Sequence, residues 1–197
     1  MHPNPAFRGH GDLLARAAEI GLATFFVVGE VPSIVHAPVT RHADRLRFHV
    51  ARANRASGQL DKARVLASVT GPDSYISPNW YAATADQVPT WNYEAIEIEG
   101  VCTPLDDAAL IEQLDALAAT HEPLVNPLAP WSRSKMDPDL FARMLRGIRG
   151  FELTVEDIRS TRKFSQNKSP ADRAGVVAGL RYAGKPDLAS MMNDAAP

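Results

Sequence analysis

Four short stretches hold most of the residues that could do chemistry. HVARAN (residues 49–54) places His49, Arg52 and Asn54 at the end of a cationic segment. GPDSYISPNWY (residues 71–81) carries Tyr75, Ser77 and Trp80 between prolines. VPTWNY (residues 88–93) sets Trp91, Asn92 and Tyr93 side by side. KFSQNKSPADR (residues 163–173) strings Lys163, Ser165, Gln166 and Asn167 ahead of a helix start. Cations mixed with amide and hydroxyl donors suit an anion such as a phosphate, whose oxygens need both charge and neutral hydrogen bonds. Local charge agrees. From Arg41 to Arg64 seven Lys or Arg stand against two Asp, a local +5, and from Arg159 to Arg173 five stand against one, a local +4. The whole chain carries −2, so these are concentrations of charge and not a general basic field.

Each feature has a plainer reading. Arg45 and Arg47 alternate with apolar residues, as a solvated strand face does. His36 lies in an apolar strand, where a satisfied core histidine is the commoner case. Trp80, Trp91 and Tyr93 taken singly fit a core. Their clustering with Asn in two short proline-punctuated turns is what favours a site over a core.

Other chemistries lack their residues. The six histidines, at 2, 10, 36, 42, 49 and 121, show no HxxxH or HExxH pairing for zinc. No GxSxG elbow surrounds a serine, and neither GxGxxG nor GxxxxGK[ST] occurs. The single cysteine, Cys102, has no activating neighbour and reads as structural; alone, it allows no intrachain disulfide and fits a reducing compartment. No segment reads as a helix-turn-helix. The first residues, MHPNPAFRGHGD, lack the apolar core of a signal peptide, and no run approaches the ~20 apolar residues of a membrane span. The expectation is a cytoplasmic protein with no membrane partner.

The elements that must position these stretches are legible from periodicity. Asp12 can cap a helix over residues 13–20 that Gly21 ends. Residues 22–28 and 32–39 read as strands joined by a turn. Leu46, Phe48 and Val50 alternate with Arg45, Arg47 and His49, so one strand face is apolar and the other cationic. Residues 63–71, 96–102 and 152–156 supply further strands. Asp106 opens a helix striped by Leu110, Ile111, Leu114 and Leu117. Asp137 and Pro138 open another, striped by Phe141, Met144, Leu145 and Ile148 and stopped by Gly150. Ser169-Pro170-Ala171-Asp172 has the form of a capping box before a helix to Tyr182, and a short helix over residues 187–193 follows Gly184-Lys185-Pro186. Six strands with short turns and peripheral helices point to a mainly β, α+β fold built on an antiparallel barrel.

These motifs, in this order, resemble the PaiB-like family of FMN-binding negative transcriptional regulators. The resemblance runs from Asn4-Pro5-Ala6-Phe7 through HVARAN, GPDSYISPNWY, VPTWNY and GFELTVEDI (residues 150–158) to KFSQNKSPADR. It implies a six-stranded split β-barrel of the flavin-reductase and pyridoxamine-phosphate-oxidase type. Residues 1–160 would form the barrel with inserted helices, and residues 161–197 would pack on it, as one domain overall. It implies a homodimer with FMN in a cleft between subunits. Arg52 would meet the FMN phosphate with His49 and Asn54 as further donors. His36 and Pro38 would run past the isoalloxazine ring. Tyr75, Ser77 and Trp80 would line the cleft, and Trp91, Asn92 and Tyr93 would wall it. Lys163, Ser165, Gln166 and Asn167 would close over the ligand or tie the C-terminal segment to the barrel.

What the protein does with FMN divides into a repressor, an FMN-dependent oxidoreductase and a flavin- or haem-binding sensor without turnover. DNA binding needs several cations on one face. Only the Arg41–Arg64 cluster could supply them, and FMN would compete for it.

Overall fold

The computed structural model describes residues 4–194. Residues 1–3 and 195–197, and with them His2 and the end of the C-terminal segment, lie outside the described residues. In chain order the regular elements are α1 (Leu13–Ile20), β1 (Leu22–Val27), β2 (Ser33–His42), β3 (Arg45–Ala51), β4 (Arg64–Ile76), β5 (Thr90–Pro104), α2 (Asp107–Val125), α3 (Pro138–Leu145), β6 (Ile148–Lys163), α4 (Pro170–Tyr182) and α5 (Pro186–Asp194), with short 3₁₀ turns between some of them. The strands close a barrel in the order β1-β2-β3-β6-β5-β4. The expected six-stranded antiparallel barrel is therefore the fold. Among the described residues no helix is long and apolar enough to cross a membrane.

By compactness the chain divides into two units, Asp12–Val69 with Glu97–Ile158, and Met1–Gly11 with Thr70–Ile96 and Arg159–Pro197. The first is here called the barrel unit and the second the C-terminal unit.

In the barrel unit, alternation decides which side chains point inward. Phe25 of β1, Phe48 of β3 and Phe151 of β6 are fully buried and stack in a column, with ring centroids 4.0 Å apart for the first pair and 5.7 Å for the second. Burying a phenylalanine contributes about 1.5–3 kcal/mol. Val27, Val35, Val39, Leu46, Leu153 and Ile98 complete the layer. The helices start where carboxylates cap them. Asp12, Asp106 and Asp137 accept from the backbone N–H three residues on, at 3.0, 2.8 and 2.8 Å. Gly21 ends α1 at φ 82°, in the left-handed region glycine enters freely.

One expectation fails here. Ile148 and Gly150 belong to β6, not to the preceding helix, which ends at Leu145. Gly147 N–H turns back to Met144 O at 2.9 Å, and the chain leaves as a strand. Gly150 serves packing. A Cβ there would lie 2.9 Å from Leu110 Cδ1 and 3.1 Å from Leu105 Cδ1. A second correction concerns residues 71–76 and 90–93, expected as turns. They are the ends of β4 and β5.

The C-terminal unit has its own core of Ile76, Tyr81, Phe164, Val176, Leu180, Leu188, Ala189 and Met192. Ser169 caps α4, accepting from Asp172 N at 3.1 Å while its hydroxyl donates to Asp172 Oδ2 at 2.8 Å.

Candidate cofactor site

The outer face of the β1–β2 hairpin carries an exposed apolar strip. Antiparallel register pairs Leu22 with Pro38, Thr24 with His36 and Phe26 with Ile34. Their alternate neighbours fill the barrel, so these six point outward. Leu22, Phe26 and Ile34 are 58, 41 and 56% exposed. Thr24 Oγ1 and His36 Nδ1 share a hydrogen bond of 3.0 Å in the middle of this strip. At the hairpin end a groove of about 450 Å³ is lined by Phe26, Val28, Pro32, Ile34 and Arg55.

The cations of the Arg41–Arg64 cluster are mostly engaged. Arg41 Nη1 meets Asp12 Oδ2 at 2.6 Å. Arg45 and Arg47 reach Glu152 at 3.4 and 2.8 Å, and Arg47 also reaches Glu112 at 3.0 Å. Arg64 pairs with Glu156. Arg52, in the turn after β3, donates to the carbonyls of Arg146 at 3.0 Å and Ile148 at 3.3 Å. Those bonds use Nε and Nη2. Arg55 Nη2 donates to Pro32 O at 3.1 Å. Asn54 turns its Oδ1 to Ala56 N at 2.9 Å, so its acceptor is spent locally.

His49 goes elsewhere. It lies on the outer side of β3 against α2, where its Nδ1 is 2.9 Å from Gln113 Oε1. With Pro38 it lines a cavity of about 740 Å³ whose other walls include Leu114, Leu117, Trp131, Phe141 and Met144.

The C-terminal unit holds the remaining expected residues. Tyr75 and Trp91 meet edge-to-face with centroids 6.2 Å apart, both about half exposed (48 and 49%), and Trp91 Nε1 donates to Asp73 Oδ1 at 3.2 Å. Ser77 accepts from Asn79 N at 3.2 Å. Trp80 lies over α4, so close that a Cβ on Gly179 would fall 2.2 Å from its ring. Tyr93 is half-buried on β5. Asn92 is fully buried and donates to Ser165 Oγ at 3.0 Å. Ser165 is itself buried, in the left-handed region at φ 58°. Lys163 Nζ donates to Thr90 Oγ1 at 2.5 Å. Gln166 bridges its own turn, accepting from Phe164 N at 2.7 Å and donating to Arg162 O at 2.6 Å. Asn167 is exposed. The SQN turn thus holds the chain before α4 through its own side chains, and Arg173 reinforces it by donating to Phe164 O at 2.9 Å.

The closed six-stranded antiparallel barrel with its peripheral helices is a split-barrel fold. The chain belongs to the family described as "Putative FMN-binding domain", whose model matches residues 1–157. Its cofactor class is FMN. A relative from Bacillus subtilis (strain 168), "Protease synthase and sporulation protein PAI 2", is 35% identical over 133 residues, 66% of this chain. The match spans 62% of that protein's length. Among solved structures, the flavocytochrome Anf3 from Azotobacter vinelandii superposes with a TM-score of 0.61 at 15% identity, over 88% of this chain and 78% of that one. A FAD and heme binding protein from Mycobacterium smegmatis gives 0.58 at 17%, over 85% and 78%. At such identities the likeness is one of fold.

FMN needs a flat apolar bed for its ring and positive donors for its phosphate. The β1–β2 face offers the bed. Arg55 lines the groove at its end, and a guanidinium has five N–H donors, of which the bond to Pro32 takes one. The residues therefore fit the group. Arg55, one residue past the HVARAN motif, is not among the site residues expected from the sequence. The 740 Å³ cavity meets this bed at Leu22 and Pro38, and no Lys or Arg lines it.

Proposed function

We propose that the protein is a homodimer that holds FMN against the outer face of β1–β2 and uses it for electron transfer, without reading DNA. The observation that carries this reading is the exposure of Leu22, Phe26 and Ile34 on one strip of sheet. Contiguous apolar surface of this kind marks an interface or a ligand bed. A flavin ring and a second copy of the same face would cover it together. Thr24 and His36 are the polar groups of the strip that can meet the hydrogen-bonding edge of a flavin. Arg55, with Arg52 close by in sequence, would hold the phosphate. FMN itself would supply the redox chemistry, leaving the chain to bind, orient and exclude water.

The engaged cations favour this reading over DNA contact. Arg41, Arg45, Arg47 and Arg64 face carboxylates, which leaves Arg52 and Arg55 as the arginines of the cluster without one. Neutralising DNA phosphates needs several cations free on one face.

The test combines light scattering with flavin absorbance. The expected result is a dimer binding one FMN per chain, and an Ile34→Glu variant that is monomeric with lost FMN affinity. Purified dimer with FMN should oxidise a reduced nicotinamide cofactor in the presence of an acceptor. A monomer binding FMN as well as the parent, or a parent that binds DNA with steep salt dependence, would overturn the reading.

A further inference from the structure

The barrel unit contains a chamber that borders the proposed FMN bed at Leu22 and Pro38 and extends beyond it. It lies outside the β2–β3 sheet, under α2 and α3, with a volume of about 740 Å³. That is within the range of small-molecule sites, ~300–1,000 Å³. Leu114, Leu117, Phe141, Met144 and Ile148 make its walls apolar, and Trp131 adds a flat aromatic surface. Methionine walls adapt to a guest's shape at little cost.

Three polar residues break the apolar lining: His49, His121 and Glu122. Glu122 is engaged, because its Oε2 accepts from Trp131 N–H at 2.8 Å and fastens the loop after α2. His49 is oriented. Its Nδ1 lies 2.9 Å from Gln113 Oε1. The bond occupies Nδ1 and leaves Nε2 as the ring nitrogen open to a guest. Gln113 is 1% exposed, so its amide holds the imidazole from within the packed side of the wall. Such an amide-oriented imidazole is the arrangement by which proteins prepare a ring nitrogen for a ligand.

We propose that this chamber is a second binding site, taking a flat aromatic molecule with one hydroxyl group, which hydrogen-bonds to His49 Nε2. No lysine or arginine lines the chamber to pair with a phosphate, so an uncharged guest suits it. A hydroxyl suits the ring nitrogen because it can donate or accept. The inference rests on the chamber alone and does not require the FMN reading.

Calorimetric titration of the full chain with 2-naphthol, and with 2-methylnaphthalene as the isostere without a donor, tests it. The expected result is one 2-naphthol per chain, bound about 3- to 10-fold more tightly than the isostere, as one hydrogen bond provides. His49→Phe should erase the difference while leaving the isostere bound. Leu117→Trp should crowd the chamber and weaken both; Met144→Trp, at a more exposed wall position, is the alternative if that variant does not fold. FMN absorbance titrations of the same variants separate this site from the flavin bed. No saturable 2-naphthol binding, equal affinity for both probes, or a preference that survives in His49→Phe would overturn the proposal.

Discussion

Arg47 and Glu152 sit opposite each other across the β3–β6 ladder, and Arg47 Nε donates to Glu152 Oε2 at 2.8 Å. Both side chains are largely covered, at 11 and 15% exposure. Burial alone would lower the Arg47 pKa, but the bonds to Glu152 and then Glu112 outweigh it and hold the guanidinium above the ordinary arginine value. The same carboxylate receives Arg45. One glutamate therefore faces two of the cations that make residues 41–64 look basic.

Glu152→Gln should unmask that charge. Stability should fall by about 1–3 kcal/mol, less than for a fully buried pair because Arg45 is 40% exposed. Non-specific DNA binding, weak in the parent, should appear with a salt slope of about one extra phosphate, since Glu112 still holds Arg47. Denaturant melts and gel shifts at two salt concentrations read both effects.

Asp172 links stability to pH. The Ser169 hydroxyl chiefly, then the backbone N–H groups of Ala82 and Ala83 and the charge of Lys168, hold its carboxyl below the ordinary value of 3.8 against an opposing effect of burial. A depressed folded pKa means that its contribution is complete above pH ~4 and is lost as pH falls through the lower folded value. Urea midpoints from pH 6 to pH 2 should therefore fall less steeply in Asp172→Asn, which starts lower.

Gly179→Ala should disturb the C-terminal unit. The added methyl would meet the Trp80 ring at 2.2 Å. The expected cost is about 1–3 kcal/mol of overpacking, with a shift in tryptophan emission. Adding Trp80→Leu should recover part of the loss, because the smaller side chain vacates the contact.

Cys102 should be inert. Burial pushes its thiol up to about 12. At pH 8 the thiolate fraction is then roughly one in ten thousand. Modification by a disulfide reagent should proceed at the rate at which the barrel opens and accelerate sharply in urea.

Arg55→Ala should weaken FMN by about 1.5–3 kcal/mol, the worth of a charged hydrogen bond, with the fold intact. Flavin fluorescence titration measures it. Unchanged affinity would move the phosphate away from the hairpin groove.

The local devices were legible because their physics acts within one helical turn. Asp12 with Gly21, Asp106, Asp137 with Pro138, and Ser169 with Asp172 all mark helix ends where they were expected. The strand faces of β1 to β3 followed from alternation. Ile148 misled because its spacing from Phe141, Met144 and Leu145 suits a helix, whereas Gly147 turns the chain first. The requirement for glycine at position 150 comes from Leu105 and Leu110, some 40 residues away, and has no local signal. The site was harder. Asn92 and Ser165 meet across 73 residues of sequence, and His49 meets Gln113 across 64. Motif reading places such residues in one list, while the fold sends His49 to an apolar chamber and Asn92 into a core.

The phenylalanine column has a consequence for synthesis. Phe25 and Phe48 belong to strands that leave the ribosome early, but their partner Phe151 and the whole of β6, which zips onto β3 from Arg45 to Ala51, come about 100 residues later. At 5–20 residues per second the emerging chain holds β3 with an open edge for roughly 5–20 s. During that interval Leu46, Phe48 and Val50 lack their cover. A nascent chain of this protein is most prone to self-association just before residue 148 appears, and slowing translation over residues 107–145 should lower its soluble yield.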